Sequence, residues 1–393
     1  MERSLFEPAK INNMSLNNRL VRSATYESMA AEDGSVTDQL IKLYTTLAKG
    51  GVGLIITGYA YVQENGHCMP FQTGVFRDDN IPGLRKLADA VHAEGGKIAL
   101  EIAHSGRQTV PALLGGQTPM APSAMEADPF FHTVPRAMTT AEIRETIVAF
   151  AAAAVRCKKA GFDAVQLHGA HGYLIAQFLS PFTNRRTDEW GGNTENRMRF
   201  VKEVIKEVRA AVGPEYPILI KISVEEGVGN GLTLDESCRI AKGLADAGVD
   251  AIEVSGGIVA DTPFIMSRGD VPIDQLTGGL KGDAKAQTEQ LFYSIADGVK
   301  MQEAYWLKHA EKIKEVVGKV PVILVGGMKY PQTMEAIVRE KKADFVSLSR
   351  ALVREPGLPN EMAKGRRSPV KCAYCNLCLA AIIAGQPLKC YNR

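Results

Sequence analysis

The chain contains no apolar run long enough to span a membrane. Its opening residues, MERSLFEPAK, lack the apolar core of a secretory leader. Neither sign of charge is in excess: 46 Lys and Arg stand against 44 Asp and Glu, a formal charge of +2. That balance gives no electrostatic reason to expect nucleic acid or a membrane surface as a partner. Cysteine is sparse along most of the length, with Cys68, Cys157 and Cys238 scattered and the other four of seven crowded into the last 22 residues. The cytoplasm is the expected compartment, and in a reducing environment such crowding points to metal or catalysis before disulfides. A Gly-x-Gly-x-x-Gly turn after a first strand is also missing, which argues against a doubly wound dinucleotide-binding sheet.

Short apolar runs do alternate with amphipathic stretches, the pattern of repeated βα units. Strands are expected near Leu20–Ala24, Leu54–Thr57, Lys97–Ile102, Ala164–Leu167, Ile218–Ser223, Ala251–Ser255, Val322–Val325 and Phe345–Leu348. Eight strands with helices between them predict an α/β fold, a (β/α)8 TIM barrel, with the doubly wound sheet as runner-up. The barrel is expected over residues 1–366, with a four-cysteine extension over 367–393. Residues Leu5–Ile11 and Met14–Arg19 read as a hairpin that plugs the barrel floor. Thr139 and Glu142 have capping-box spacing and open a helix that runs to Ala160. Two long connections, Gln108–Met138 and Ile258–Gln302, suit lids over a barrel's active face. Phe130, Phe131 and His132 are candidate lid contacts or, equally, packing residues.

The most informative stretch follows the fourth strand. His168 and His171, with Tyr173 close behind, sit just past a strand's C-terminal end, where such barrels place reacting groups. Two imidazoles can hydrogen-bond one carbonyl oxygen while a phenol delivers a proton to carbon. His168 and His171 could instead ligate a metal, which would need a third ligand that the sequence does not reveal, or could be structural. Residues 184–192 read as a loop bracing the rim.

The run H-G-A-H-G-Y-L-I-x-Q-F-L-S-P-x-x-N-x-R-x-D-x-x-G-G, from His168 to Gly192, resembles the old yellow enzyme family of FMN-dependent ene reductases. Within it, the chain is similar to the branch of 2,4-dienoyl-CoA reductase and trimethylamine dehydrogenase, over essentially its whole length. The resemblance implies FMN on the barrel's upper face, with Ala24 and Thr25 under the reactive part of its ring. Thr25 stands where some relatives carry cysteine. Gly58 is expected to let the flavin edge approach the backbone. Glu101 stands where the family usually has glutamine. An ionised carboxylate accepts from a ring N–H but cannot donate, and it disfavours the anionic reduced ring, so a low-potential flavin is expected. Lys221, a lysine in an apolar strand, would face the accumulating negative charge. Gly326 and Gly327 after the seventh strand, with Ser349 and Arg350 after the eighth, are expected to hold the phosphate.

Cys372, Cys375 and Cys378 have C-x2-C-x2-C spacing, and eleven residues separate Cys378 from Cys390. Four such thiolates can wrap a [4Fe-4S] cluster, or bind zinc, or remain metal-free. The resembling branch has a four-cysteine cluster here with a second gap one residue longer. With a cluster, a separate electron-transfer protein would feed the FMN; without one, NADH or NADPH would reduce it directly. The relatives continue past their cysteines into further domains, whereas this sequence stops at Arg393. The expected activity is reduction of the C=C bond of a small enone or enoyl compound, by a monomer or a homo-oligomer. Two alternatives are an amine or alcohol dehydrogenase, and a flavin-free barrel lyase or isomerase with a zinc tail.

Overall fold

Side chains of a β-strand alternate between its two faces, and in this chain that alternation lays down the barrel interior in layers. The computed structural model describes residues 4–392. Its eight barrel strands are β1 (Leu20–Arg22), β2 (Leu54–Ile56), β3 (Ile98–Ala103) and β4 (Ala164–Gly169), followed by β5 (Ile218–Ser223), β6 (Ala251–Ser255), β7 (Val322–Val325) and β8 (Phe345–Leu348). All are parallel, each pairs with its sequence neighbour, and β8 returns to β1 through Val346 opposite Leu20, so the sheet closes. No expected strand is displaced by more than two residues at either end.

The lowest interior layer is apolar. Val21, Leu54, Ala99, Ala164, Leu219, Ala251, Ile323 and Phe345 pack with Ile11, Met14 and Leu16. The last three come from an antiparallel hairpin, Ala9–Ile11 with Met14–Leu16, shorter than the sequence suggested but placed as the expected plug. Two residues further along the strands the same face becomes polar: Glu101, Gln166, Lys221, Glu253 and Ser347, all buried. Isolated charges there would be costly, and these are paired. Lys221 Nζ lies 3.1 Å from Glu101 Oε1 and 3.5 Å from Glu253 Oε2. Gln166 Nε2 and Ser347 Oγ donate to Glu253 at 3.0 and 2.9 Å. The next step brings His168, Ser223 and Ser255 to the rim.

Outside the strands, the capping box at Thr139 and Glu142 is formed, and its helix spans Thr140–Lys159. The second lid connection is more ordered than its sequence suggested. It carries helices Ile273–Thr277 and Gly282–Ala296 around a small core that includes Phe264, Ile273, Phe292 and Val299. The C-terminal segment folds back over the mouth. Val370 N–H donates to Lys329 O, and Leu388 N–H donates to Glu27 O. A short helix, Leu377–Ile383, lies between those anchors.

Behind the rim, Glu226 Oε2 accepts from Ser180 Oγ at 2.6 Å and from Leu232 N at 2.8 Å. Burial pushes its carboxyl up to about 7. A carboxyl whose folded value exceeds its unfolded one contributes stability below the unfolded value, and that contribution is lost as pH rises through the folded value. Glu226→Gln is therefore expected to gain stability relative to the parent between pH 5 and pH 8, by roughly 1–3 kcal/mol. Thermal melts of the pair across that range check this, and a pH-independent difference would refute it.

Candidate active site

Above the polar layer opens a cleft with about 1200 Å³ of empty space, its mouth included. Ala24, Thr25, Glu101, His168, His171, Tyr173, Lys221 and Ser349 all line it. It runs into a second cavity bordered by Gly326, Gly327, Ser349 and Arg350, with Thr25 and Ser349 shared between the two. The sequence-derived residues thus meet along one slot, polar at its floor and glycine-lined at one end.

His168 and His171 stand edge to face with ring centroids 5.1 Å apart, and His168 and Tyr173 lie 4.7 Å apart. Ala170 N–H donates to His168 Nδ1 at 3.4 Å, which leaves the proton on Nε2. His171 occupies the left-handed region at φ 59, a costly backbone state for a non-glycine residue. Its surroundings over-determine it. His171 N–H donates to Ser223 Oγ at 3.0 Å, and Nε2 lies 2.7 Å from Ser255 Oγ. Its carbonyl accepts from Val259 N–H and from Gln108 Nε2. Burial lowers both imidazoles, His171 to about 3 and His168 well below its ordinary value, so both are neutral across the physiological range.

Tyr173 is also buried, which raises its phenol well above the ordinary value and keeps it protonated. Its hydroxyl is 3.0 Å from that of Tyr59 and 3.8 Å from the Cys68 thiol. Tyr59, Ser223, Ser255 and Gln108 were not singled out from the sequence. Ser223 and Ser255 are register partners at the ends of β5 and β6, so aligning the strands by layer would have found them.

Several expected cofactor contacts acquire more definite roles. Burial pushes the Glu101 carboxyl up to about 7, against the pull of Lys221. Its Oε1, although 3.1 Å from Lys221 Nζ, is buried without an oriented hydrogen bond, and its Oε2 lies 3.9 Å from His168 Nε2. A carboxylate this poorly satisfied on a cavity floor suits a ring N–H of a flavin. The Thr25 hydroxyl is already engaged, donating to Ser23 O at 3.0 Å and lying 2.8 Å from Ser349 Oγ. Gly326 and Gly327 have φ of 115 and 69, and a β-carbon on Gly327 would meet Gln302 O at 2.1 Å. Only glycine allows that turn.

Two residues depart from expectation. Gly58 does not line the slot: a β-carbon there would strike the buried Glu27 carboxylate, at 2.2 Å from Oε2, and Gly58 N–H donates to Glu27 Oε1. Its smallness makes room for Glu27. Arg350 borders the glycine-lined end but is partly committed elsewhere, donating to Asn376 Oδ1 at 2.6 Å and to Arg268 O at 2.9 Å. It joins that end to the cysteine segment.

Cys372, Cys375, Cys378 and Cys390 line one small pocket beside Arg350. Among the described residues, however, no three His, Cys, Asp or Glu side chains converge closely enough to hold a metal ion. As placed, the four thiols form no metal-binding group.

The sequence matches the model of the NADH:flavin oxidoreductase / NADH oxidase family over residues 4–275. The chain belongs to that family. The match bears out the old yellow enzyme resemblance, and FMN with a nicotinamide donor is the family's cofactor pair. An NADH oxidase of Thermoanaerobacter brockii is 39% identical over 376 residues, covering 95% of this chain and 53% of that protein. The chain thus spans about half the length of the curated relatives it matches first. A solved 2-naphthoyl-CoA reductase complex superposes with a TM-score of 0.86 at 29% identity, over 98% of this chain and 56% of that one. Histamine dehydrogenase from Rhizobium sp. 4-9 does so with 0.81 at 27%, over 98% and 51%. Among the described residues no helix is long and apolar enough to cross a membrane.

Proposed function

We propose that this family member is an FMN-dependent ene reductase that reduces the C=C bond of an α,β-unsaturated carbonyl compound. The observation that carries the reading is the convergence of two neutral imidazoles and one protonated phenol over a floor of Glu101 and Lys221. Ala24, Thr25, Glu101 and Lys221 would hold the flavin ring, and Gly326, Gly327, Ser349 and Arg350 its phosphate. Bound and reduced by NADH or NADPH, FMN supplies hydride to the electrophilic carbon.

The chain's own residues do the rest. His168 and His171 bind the carbonyl oxygen through N–H groups and polarise the alkene. Being neutral, they stabilise charge on that oxygen without giving up a proton to it. Tyr173 supplies the proton to the carbon next to the carbonyl. Burial of His168 and Tyr173, with His171 half-buried beside them, limits water at the reacting bond.

A second reading has its own support. Tyr59 packs on Tyr26 and Tyr173 with centroids 5.9 and 5.0 Å apart, an aromatic group that could face a cationic amine. That reading is an amine dehydrogenase. An anaerobic spectrum separates them: flavin bands bleached by NADH or NADPH and restored by 2-cyclohexenone support the ene reductase, whereas bleaching by an amine alone overturns it. Iron, zinc and acid-labile sulfide measured on the same sample decide the tail. About four irons per chain would establish a [4Fe-4S] cluster.

A further inference from the structure

One wall of the slot, continued by Leu379 and Ile382 into the adjoining glycine-lined cavity, is built by a helix that the chemistry above does not use. In the helix Leu377–Ile383, Leu379, Ile382 and Ile383 recur at i, i+3 and i+4, so they share one face. All three line the cleft, and Leu379 and Ile383 remain only partly covered. Three apolar residues of the lid connection, Phe264, Leu276 and Phe292, line the same cleft. Phe264 and Phe292 meet edge to face at 5.8 Å, and Phe264 is held at φ 74, a state that a bulky residue occupies only under constraint. Two segments distant in sequence thus bring a strained aromatic and a helix face to one cavity, with Leu379 packed on the cluster of Phe264 and Phe292 and Ile383 only partly covered.

Charge is as informative as shape. Of the residues lining this cleft only Glu101 and Lys221 are ionic, and they are paired with each other on the floor. The cation of the adjoining cavity, Arg350, donates to Asn376 Oδ1 and to Arg268 O, so a charge carried past the floor pair finds no ionic partner within the cleft itself.

Resting on the ene reductase reading, we propose that Leu379, Ile382 and Ile383 are specificity-determining residues that select an uncharged carbonyl substrate bearing an apolar tail. The carbonyl end meets His168 and His171. The tail lies between the cysteine helix and the lid, where each methylene it buries is removed from water. Substrate choice is then a property of the same short helix that carries Cys378.

Binding can be read without turnover. Saturated methyl ketones cannot be reduced at a C=C bond, and their dissociation constants are measured from the shift of the flavin bands of the FMN-bound protein. From 2-butanone to 2-octanone, affinity is expected to rise by on the order of tenfold or more. A keto acid of the same length, with a carboxylate at the far end, is expected to bind at least about tenfold more weakly than 2-octanone. Ile383→Asn should shrink the ratio between the two ketones, and Ile383→Trp should shift the preference to shorter ketones. Either variant suffices if the other fails to bind FMN. A constant independent of chain length, or equal binding of the keto acid, overturns the proposal. Failure to reduce 2-cyclohexenone would instead sink the ene reductase reading and leave this measurement intact.

Discussion

Tyr173→Phe is expected to bind FMN and to be reduced by NADH or NADPH at close to the parent's rate, yet to return those electrons to 2-cyclohexenone about 10²- to 10⁴-fold more slowly, the usual contribution of a positioned proton donor. The two halves separate because the phenol acts only once a carbon needs a proton. Stopped-flow traces of each half, recorded anaerobically, make the comparison. Since burial holds the phenol well above its ordinary value, the parent's reoxidation rate should show no loss attributable to tyrosine ionisation up to about pH 9. The histidines add no acid limb above about pH 5, because His171 is pushed down to about 3 and His168 is also lowered. If the phenylalanine variant reduces the enone at the parent's rate, Tyr173 is not the donor.

Glu101→Gln is expected to raise the midpoint potential of the bound flavin. Reduction places negative charge on the ring, and a buried carboxylate beneath it opposes that charge while Lys221 favours it. Removing the carboxylate leaves Lys221 unopposed on the cavity side, although Glu253 still pairs with it. A rise on the order of 30–90 mV corresponds to about one to three tenfold steps of a two-electron couple. Sign and pH dependence go together. With its carboxyl near 7, Glu101 is more ionised at pH 8.5 than at pH 6, so the gap between variant and parent should widen with pH. A variant potential equal to or below the parent's at pH 8.5 would falsify the role given to Glu101.

The barrel was legible because burial on both sides of a parallel strand leaves continuous apolar runs, and the few polar interruptions, Glu101 and Lys221 among them, mark the layer that faces the slot. His168, His171 and Tyr173 could be grouped in advance because they follow one strand end, and that end faces the cavity. The supports of His171 were not. A serine closing a strand has no pattern of its own, and Ser223 and Ser255 acquire meaning only when β5 and β6 are laid side by side. The packing of Gly58 against Glu27 was not legible, because a glycine records that space is needed without saying for what. In the tail the cysteines drew attention to metal. The three apolar residues between Cys378 and Cys390 that face the slot occupy less than two helical turns, too short a stretch for periodicity to announce an inner face. Arg350 was half legible: its position at the phosphate end follows from barrel architecture, while its bond to Asn376 depends on a chain reversal that no local signal encodes.

The hairpin plug has a consequence for the order of events. Ile11, Met14 and Leu16, at most 5% exposed, fill the lower end of the barrel, so traffic to the slot passes through the upper mouth. In the ene reductase reading, nicotinamide and enone would both use the space beside His168 and His171 and would both enter by that mouth. They would take turns. Reciprocal plots of rate against one reactant, drawn at several fixed concentrations of the other, should form parallel lines, and each reactant in excess should obstruct its counterpart.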